Sequence, residues 1–279
     1  MKTFTLKLKE IFNLDTAQEP TLECYILDPN PETDPLRKHP SILVLPGGGY
    51  VFASAREAEP IALNYLSMGF NAFVLRYSVA PETYPEQLIE VSASIALMRQ
   101  KSEEWFIDKD KIAVIGFSAG GHLAGSISTL WRESAIYEKL NIEKDLNKPN
   151  AAILSYPVIT SDASHSHAGS FAELLGEKYS PETLEKVTLE KQVTPETPPT
   201  FIWHTANDAC VPIMNSLIYS EALAKNNVPF ELHIFPDGPH GLANCNITTA
   251  HAPDSPMVNP HCERWVELSK KWLTESCGF

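Results

Sequence analysis

Short apolar runs recur along the chain and alternate with longer amphipathic stretches. Near the N-terminus, residues 4–8 and 22–27 alternate apolar and polar side chains, which predicts two half-buried antiparallel strands. Later runs are continuous and rich in β-branched residues, as expected of strands that are buried on both faces of a parallel sheet. These later runs lie at 41–45, 71–77, 112–115, 151–159, 199–205 and 230–235.

Helical patterns fill most of the intervals between these runs. Ser54 begins a capping-box pattern with Glu57, so we expect Ser54 to cap a helix that continues to about Met68. Residues 108–111 are predicted to form a turn. Alternation of strand and helix at this spacing indicates repeated βαβ units. The sequence therefore predicts one α/β domain over residues 1–279, with a mostly parallel sheet and helices on both faces. Further helices are expected after Pro85, after Gly120, over 214–224 and around Trp265, Leu268, Trp272 and Leu273.

Residues 162–193 interrupt the alternation with short helical patterns. Because they fall between two predicted sheet strands, we expect them to form a small cap over the site, called the cap segment below. His165 and His167 form a His-x-His pattern there, which by itself is a weak indication of metal binding.

Composition and charge exclude several classes of protein. The net charge of −13 argues against nucleic acid or an anionic membrane as the main partner. The five cysteines are scattered and form no C-x-x-C, so neither a disulfide framework nor a zinc ribbon is indicated. The N-terminal residues lack an apolar signal region, and no run of about 20 apolar residues is present. We expect a cytoplasmic protein without a membrane span.

The run at 116–120 reads G-F-S-A-G, a G-x-S-x-G motif. An apolar strand precedes it and small, apolar residues suited to a buried helix follow it. A serine at a sharp turn from strand to helix is a nucleophile elbow, which exposes the hydroxyl near free helix amides. Ser118 is therefore the candidate nucleophile, and the backbone amide of Ala119 is a candidate oxyanion donor.

Three glycines at 47–49 directly follow the apolar run at 41–45. A loop of this kind brings the backbone into conformations or close approaches that a side chain would prevent. One interpretation is a tight loop, and the other is an oxyanion loop in which Gly48 or Gly49 presents its amide to a substrate carbonyl. Tyr50 and Phe117, beside this loop and Ser118, are candidate substrate contacts. Phe52 and Trp131 are further aromatic residues that a sugar could stack on.

A serine nucleophile needs a base, and the base needs an orienting acid. In an α/β hydrolase these follow the serine in the order acid, then histidine, and they lie past the carboxyl ends of parallel strands. Asp208 follows the run at 199–205 and His240 follows the run at 230–235, so they are the candidate acid and base.

Competing residues fit these two tests less well. Asp162, past the run at 151–159, is the alternative acid, and Asp237 is better explained as a turn former. The other histidines lie inside predicted strands or helices or late in the chain, where structural roles are expected; they are His122, His204, His233, His251 and His261.

Several of these stretches together resemble the α/β-hydrolase esterases of the acetylxylan-esterase type, which are related to the hormone-sensitive-lipase group. The resemblance runs from about residue 42 to residue 242 and rests on LPGGGYVF, AFVLRYSVAPETYP, IDKDKIAVIGFSAGGHLA, TPPTFIWHTANDACVP and FPDGPHGL. Pro46 departs from the lipase-group pattern, which has histidine before the three glycines. This departure weakens the assignment to the lipase group more than it weakens the prediction of an oxyanion loop.

This resemblance implies a serine carboxylesterase with Ser118, Asp208 and His240 as its triad. It also implies short acyl groups, with acetylated sugars or xylo-oligosaccharides as small-molecule substrates, and neither a cofactor nor a metal. The same triad also serves an amidase, such as an arylformamidase, or a small peptidase. A non-catalytic binding protein that keeps the fold is a further alternative.

Overall fold

Eight strands form a single sheet in this computed structural model, which describes residues 1–279. In chain order they are β1 (Lys2–Lys7), β2 (Thr21–Ile26), β3 (His39–Leu45), β4 (Asn71–Arg76), β5 (Ile107–Phe117), β6 (Ala151–Ser155), β7 (Thr200–Thr205) and β8 (Phe230–Phe235). Their order across the sheet is β1-β2-β4-β3-β5-β6-β7-β8. Strands β1 and β2 pair antiparallel, as does β2 with β4, and all other neighbours are parallel. The predictions of a mostly parallel sheet and of two antiparallel N-terminal strands are confirmed.

Helices cover both faces of the sheet, because the strands present apolar side chains on both sides. On β3, Leu43 and Leu45 belong to one buried cluster and Ile42 and Val44 to the other. The helices are α1 (Leu8–Phe12), α2 (Glu59–Leu66), α3 (Glu86–Gln100), α4 (Ala119–Leu130), α5 (Ser134–Lys139), α6 (Ala168–Leu175), α7 (Pro181–Lys186), α8 (Met214–Lys225) and α9 (Arg264–Lys271). Helices α3, α4 and α8 pack in the first cluster, while α2 and α9 pack in the second. No helix is both long and apolar enough to cross a lipid bilayer.

Three sequence predictions differ from the structure in detail. Ser54 precedes a single 3-10 turn at Ala55–Glu57, and its side chain caps nothing, so the predicted capping box is wrong. The Glu57 side chain is buried instead, since its carboxylate accepts hydrogen bonds inside the protein. Residues 108–111 are not a turn between elements but a bulge within β5, where the register with β3 shifts. Strand β6 ends at Ser155 rather than at residue 159.

The parallel strands end at the same edge of the sheet. Phe117 on β5 lies opposite Ser155 on β6, which in turn lies opposite Trp203 on β7, and Thr205 on β7 lies opposite Phe235 on β8. Every loop that follows these strands therefore emerges on one side of the molecule. The cap segment contains α6, α7 and a 3-10 turn at Leu189–Lys191.

Helix α4 approaches β3 so closely that Gly120 cannot carry a side chain. A Cβ atom at Gly120 would lie 2.1 Å from the carbonyl oxygen of Leu45, which is backbone and cannot rotate away. We expect Gly120→Ala to lower the free energy of unfolding by about 3 kcal/mol or more, because strand and helix must separate. Urea unfolding measures this loss.

The matched control is Gly169→Ala in the cap segment. A Cβ atom there meets nothing nearer than the His167 ring at 3.6 Å, an ordinary contact. This variant should unfold within about 1 kcal/mol of the wild-type protein, since alanine favours helix. An unchanged urea midpoint for Gly120→Ala would contradict the close approach of α4 to β3.

Candidate active site

Ser118 lies between β5 and α4 with its backbone at φ 55° and ψ −117°. This conformation is strained for a residue with a side chain, and such strain is held only where the surroundings fix it. The amide of Ser118 donates to the carbonyl of Ser155 at 3.0 Å, which ties the turn to β6. The predicted elbow is therefore present, and it holds the hydroxyl at the carboxyl edge of the sheet.

The three residues proposed from the sequence as a triad lie in contact. The Ser118 hydroxyl donates to Nε2 of His240, with 2.8 Å between the two atoms. Nδ1–H of His240 donates to Oδ2 of Asp208 at 2.7 Å. This tautomer leaves Nε2 free to accept the serine proton, as a general base requires.

Asp208 is buried and held by four groups. Its Oδ1 accepts the amides of Cys210 and Val211, each at 2.9 Å, and its Oδ2 faces both His240 and Nε2 of His204, the latter at 3.3 Å. Burial acts to raise the pKa of Asp208, but hydrogen bonding to His204 and His240 and the charge of His240 outweigh it and hold that pKa well below its usual value. Asp208 is therefore a carboxylate at neutral pH.

His204 lies inside β7 and is fully buried, as expected of a core residue. It also contacts the acid, which the sequence did not indicate. Nε2–H of His204 donates to the carbonyl of Val211 at 3.0 Å, while Nδ1 accepts from the Ser216 hydroxyl at 2.7 Å. The alternative acid, Asp162, is exposed and accepts the amide of Ser164 in its own loop.

The glycine loop offers free amides beside Ser118. Gly48 and Gly49 have φ of 128° and 66°, values that favour glycine. Neither amide donates to any acceptor in the chain, whereas the amide of Gly47 donates to Glu57. Ala119 is the first residue of α4, where helix amides have no intrahelical acceptor. This arrangement suits a negatively charged oxygen.

The prediction that Tyr50 and Phe117 contact substrate is wrong. Both are buried, since Tyr50 is 1% exposed and Phe117 is fully enclosed. The Tyr50 hydroxyl donates to Nδ1 of His122, whose Nε2–H donates to the carbonyl of Val187 in the cap segment. Burial lowers the pKa of His122 to about 4, so it stays neutral and structural, as expected. Trp131 is also buried, and only Phe52, at 59% exposed, is open to a ligand.

His167 of the cap segment lies beside the glycine loop, because Ser170 Oγ, 2.8 Å from its Nδ1, would lie 4.0 Å from a Cβ atom at Gly49. It is the N-cap of α6, and its Nδ1 accepts hydrogen bonds from the amide and the hydroxyl of Ser170. Burial and then the charge of His240 lower its pKa, partly offset by Asp208, so the ring is neutral and carries its proton on Nε2. That Nε2–H donates to no group of the chain. No group of three or more His, Cys, Asp or Glu side chains is arranged to hold a metal ion.

Sequence reasoning also missed Glu57 and Tyr156. The sequence assigns Glu57 to a helix cap, but it lies buried behind the glycine loop. Tyr156 directly follows β6 at the sheet edge that carries the other site residues, and its ring packs against His240 with 5.0 Å between ring centres. No signal in the sequence identified Tyr156, because the predicted strand ran to residue 159 and placed Tyr156 inside it, whereas β6 ends at Ser155.

Comparison with known proteins gives the same fold and points to one family. An acetyl ester-xyloside bifunctional hydrolase from Caldicellulosiruptor lactoaceticus superimposes with a TM-score of 0.83 at 36% identity, over 99% of this chain and 97% of that one. A carboxylesterase from Lactobacillus plantarum, Cest-2923, has a TM-score of 0.83 at 27% identity, over 99% and 98% of the two chains. The predicted α/β-hydrolase fold is confirmed.

Sequence relatives are longer proteins. Endo-1,4-beta-xylanase B of Butyrivibrio fibrisolvens is 36% identical over 214 residues, which are 75% of this chain and 33% of that protein. An acetylxylan esterase of Xylanibacter ruminicola is 30% identical over 207 residues, 72% of this chain and 41% of that protein. The matched segments thus cover less than half the length of either relative. The model of the BD-FAE family matches residues 27–223, most of the chain, and the protein therefore belongs to the BD-FAE family.

Proposed function

We propose that the protein is a serine esterase that removes short acyl groups, above all acetyl, from sugars such as xylo-oligosaccharides. The observation that carries the esterase assignment is the hydrogen-bonded chain Ser118–His240–Asp208 beside the free amides of the glycine loop. The sugar and acetyl parts are supported by two similar proteins, an acetylxylan esterase and an acetyl ester-xyloside hydrolase.

The chemistry proceeds in two steps. Ser118 Oγ attacks the ester carbonyl while Nε2 of His240 takes its proton, and the resulting oxyanion accepts hydrogen bonds from Ala119 and from Gly48 or Gly49. The carbonyl–alkoxy bond breaks, and the sugar hydroxyl leaves with the proton from His240. Water, deprotonated by His240, then attacks the carbonyl of the acyl-serine. The bond to Ser118 Oγ breaks, His240 returns the proton to Oγ, and acetate leaves.

The cap segment supplies the contact to the alcohol part of the substrate in this proposal. His167 lies beside the glycine loop, its Nε2–H is unused within the chain, and the charges of His240 and Asp208 act on its pKa. A sugar hydroxyl is a suitable acceptor for that donor.

Comparison of two substrate series tests the function. We expect rapid acetate release from acetylated xylo-oligosaccharides, and p-nitrophenyl esters should be hydrolysed with a steep loss of rate from acetate through butyrate to octanoate. Activity on p-nitrophenyl esters alone would overturn the sugar assignment, and faster hydrolysis of formamides or amides would favour an amidase.

The role of His167 is tested by His167→Asn. Asparagine still caps α6 but lacks the distal N–H. Loss of one neutral hydrogen bond should raise KM for the acetylated oligosaccharide by roughly 3- to 10-fold, and by less for p-nitrophenyl acetate. The control is His165→Ala, two residues away. Equal effects of His167→Asn on both substrates would contradict a contact with the sugar.

A further inference from the structure

Glu57 carries a buried carboxylate without an ion pair. It is 4% exposed, and no lysine, arginine or histidine nitrogen lies within salt-bridge distance of it. Glutamate is rarely buried to this degree unless its oxygens are satisfied by strong partners. Here Oε2 accepts the amide of Gly47 at 2.9 Å, and Oε1 accepts the hydroxyl of Tyr156 at 2.6 Å. Both oxygens are therefore acceptors.

The carboxylate lies between the glycine loop and the loop that carries His240. A Cβ atom at Gly47 would lie 2.6 Å from Oε2 of Glu57 and 3.1 Å from Cβ of Ser118. On the other side, a Cβ atom at Gly241 would lie 4.0 Å from Oε1. Glu57 is thus close to the nucleophile and to the residue after the base, without touching either reacting atom.

Tyr156 extends the contact to the His240 loop. Its hydroxyl donates to Glu57 and accepts the amide of Ala243 at 3.0 Å. Burial first, and then the charge of Glu57, raises the pKa of Tyr156 well above its usual value, so the hydroxyl keeps its proton. The ring packs edge-on against the His240 imidazole at 71°.

Arg56 adds a second tie from the same short turn. Its guanidinium donates to the carbonyl of Gly241 at 3.0 Å and to that of Thr249. Arg56 therefore binds the His240 loop directly, and the next residue, Glu57, binds it through Tyr156. The amide of Gly47, immediately before the free amide of Gly48, is bound by the same carboxylate.

We propose that Glu57 is a positioning residue that fixes the glycine loop and the His240 loop relative to one another around Ser118, through Gly47 on one side and Tyr156 on the other. This inference rests on the esterase function proposed above. Acyl transfer requires the oxyanion donors and the base to be positioned together around the nucleophile. A rigid buried acceptor that binds both loops fixes the positions of both groups at once.

Two substitutions remove this link with little change of shape. In Glu57→Gln one oxygen becomes an NH2 group, which cannot accept from either Gly47 or Tyr156. In Tyr156→Phe the ring remains against His240, but the hydroxyl that joins Glu57 to Ala243 is lost. The exposed Glu59→Gln, two residues farther along, is the matched control.

The experiment combines active-site titration with steady-state kinetics. A fluorophosphonate counts the folded, reactive serines, and p-nitrophenyl acetate hydrolysis is expressed per labelled site. We expect Glu57→Gln to label fully at long times while kcat per labelled site falls by about 10- to 100-fold and KM changes by less than about threefold. Tyr156→Phe should show the same pattern more weakly. The double variant should be no slower than the slower single variant, since the two residues act as one unit. Glu59→Gln should behave as wild type.

The outcomes separate the alternatives. A residue that only supports the fold would reduce the number of labelled sites and leave kcat per labelled site unchanged, which overturns the positioning role. Additive losses in the double variant would also overturn the proposed link through Tyr156. Wild-type protein that neither labels nor hydrolyses the ester would instead overturn the proposed function.

Discussion

Ser118→Ala is expected to lower kcat for p-nitrophenyl acetate by about 10⁴- to 10⁶-fold, with little change in Tm. The reason is that the proposed nucleophile is removed while its surroundings stay intact. The backbone amide of Ser118 donates a hydrogen bond to the carbonyl of Ser155, and its carbonyl accepts the amides of His122 and Val158. None of these contacts involves the hydroxyl. Residual hydrolysis should come from the free amides of the glycine loop acting on bound substrate.

The control for this loss is Ser128→Ala on α4, the helix that follows Ser118. The Ser128 hydroxyl is buried and donates to the carbonyl of Ala124, so its removal should leave activity near the wild-type value. Fluorophosphonate labelling should disappear from Ser118→Ala and persist in Ser128→Ala. Hydrolysis by Ser118→Ala within tenfold of wild type would contradict the assignment of the nucleophile.

Asp208→Asn is the second large effect, with an expected fall in kcat of about 10⁴-fold. Asparagine fits the same space, but its NH2 group cannot accept from His240. If the amide nitrogen faces His240, the imidazole must turn its lone pair toward the introduced NH2 group and place its proton on Nε2. That tautomer cannot take the Ser118 proton. The rate should therefore fall through the wrong protonation state rather than through loss of fold.

Stability provides an independent check on Asp208. The pKa of Asp208 is lower in the folded chain than its ordinary value. The ionised carboxylate therefore stabilises the fold at pH values above that ordinary pKa. This contribution is lost as the pH falls through the acid range. The Tm difference between wild type and Asp208→Asn should therefore be largest near neutral pH and narrow below about pH 4. The exposed Asp237→Asn serves as the control, and a Tm difference that widens in acid would contradict the depressed pKa.

Position after a parallel strand was the most informative signal in the sequence. It singled out Ser118, Asp208 and His240, because each follows an apolar run whose period and composition predict a buried strand. The structure brings these three side chains into contact at the same edge of the sheet. Their chemistry was readable because few residue types serve as nucleophile, acid and base.

Burial of individual side chains was less accessible from the sequence. Tyr50 and Phe117 adjoin the site along the chain, yet both side chains point into the core. The direction of Phe117 is set by the alternation of side chains along β5, and that of Tyr50 by the backbone of the glycine loop. Glu57 satisfied a local capping pattern, but its carboxylate accepts hydrogen bonds from Gly47, ten residues earlier, and from Tyr156, 99 residues later. Only the folded arrangement of loops reveals such contacts.

The site is assembled from segments that are far apart along the chain. The Ser118–His240 hydrogen bond joins residues separated by 122 positions, and β8, the strand before His240, lies at the far edge of the sheet. Contacts between distant parts of a chain form slowly, because a long loop must close first. During refolding from denaturant, hydrolysis of p-nitrophenyl acetate should therefore return only after the last strand has joined the sheet. Recovery of activity reports completion of the whole fold, while helix content returns earlier.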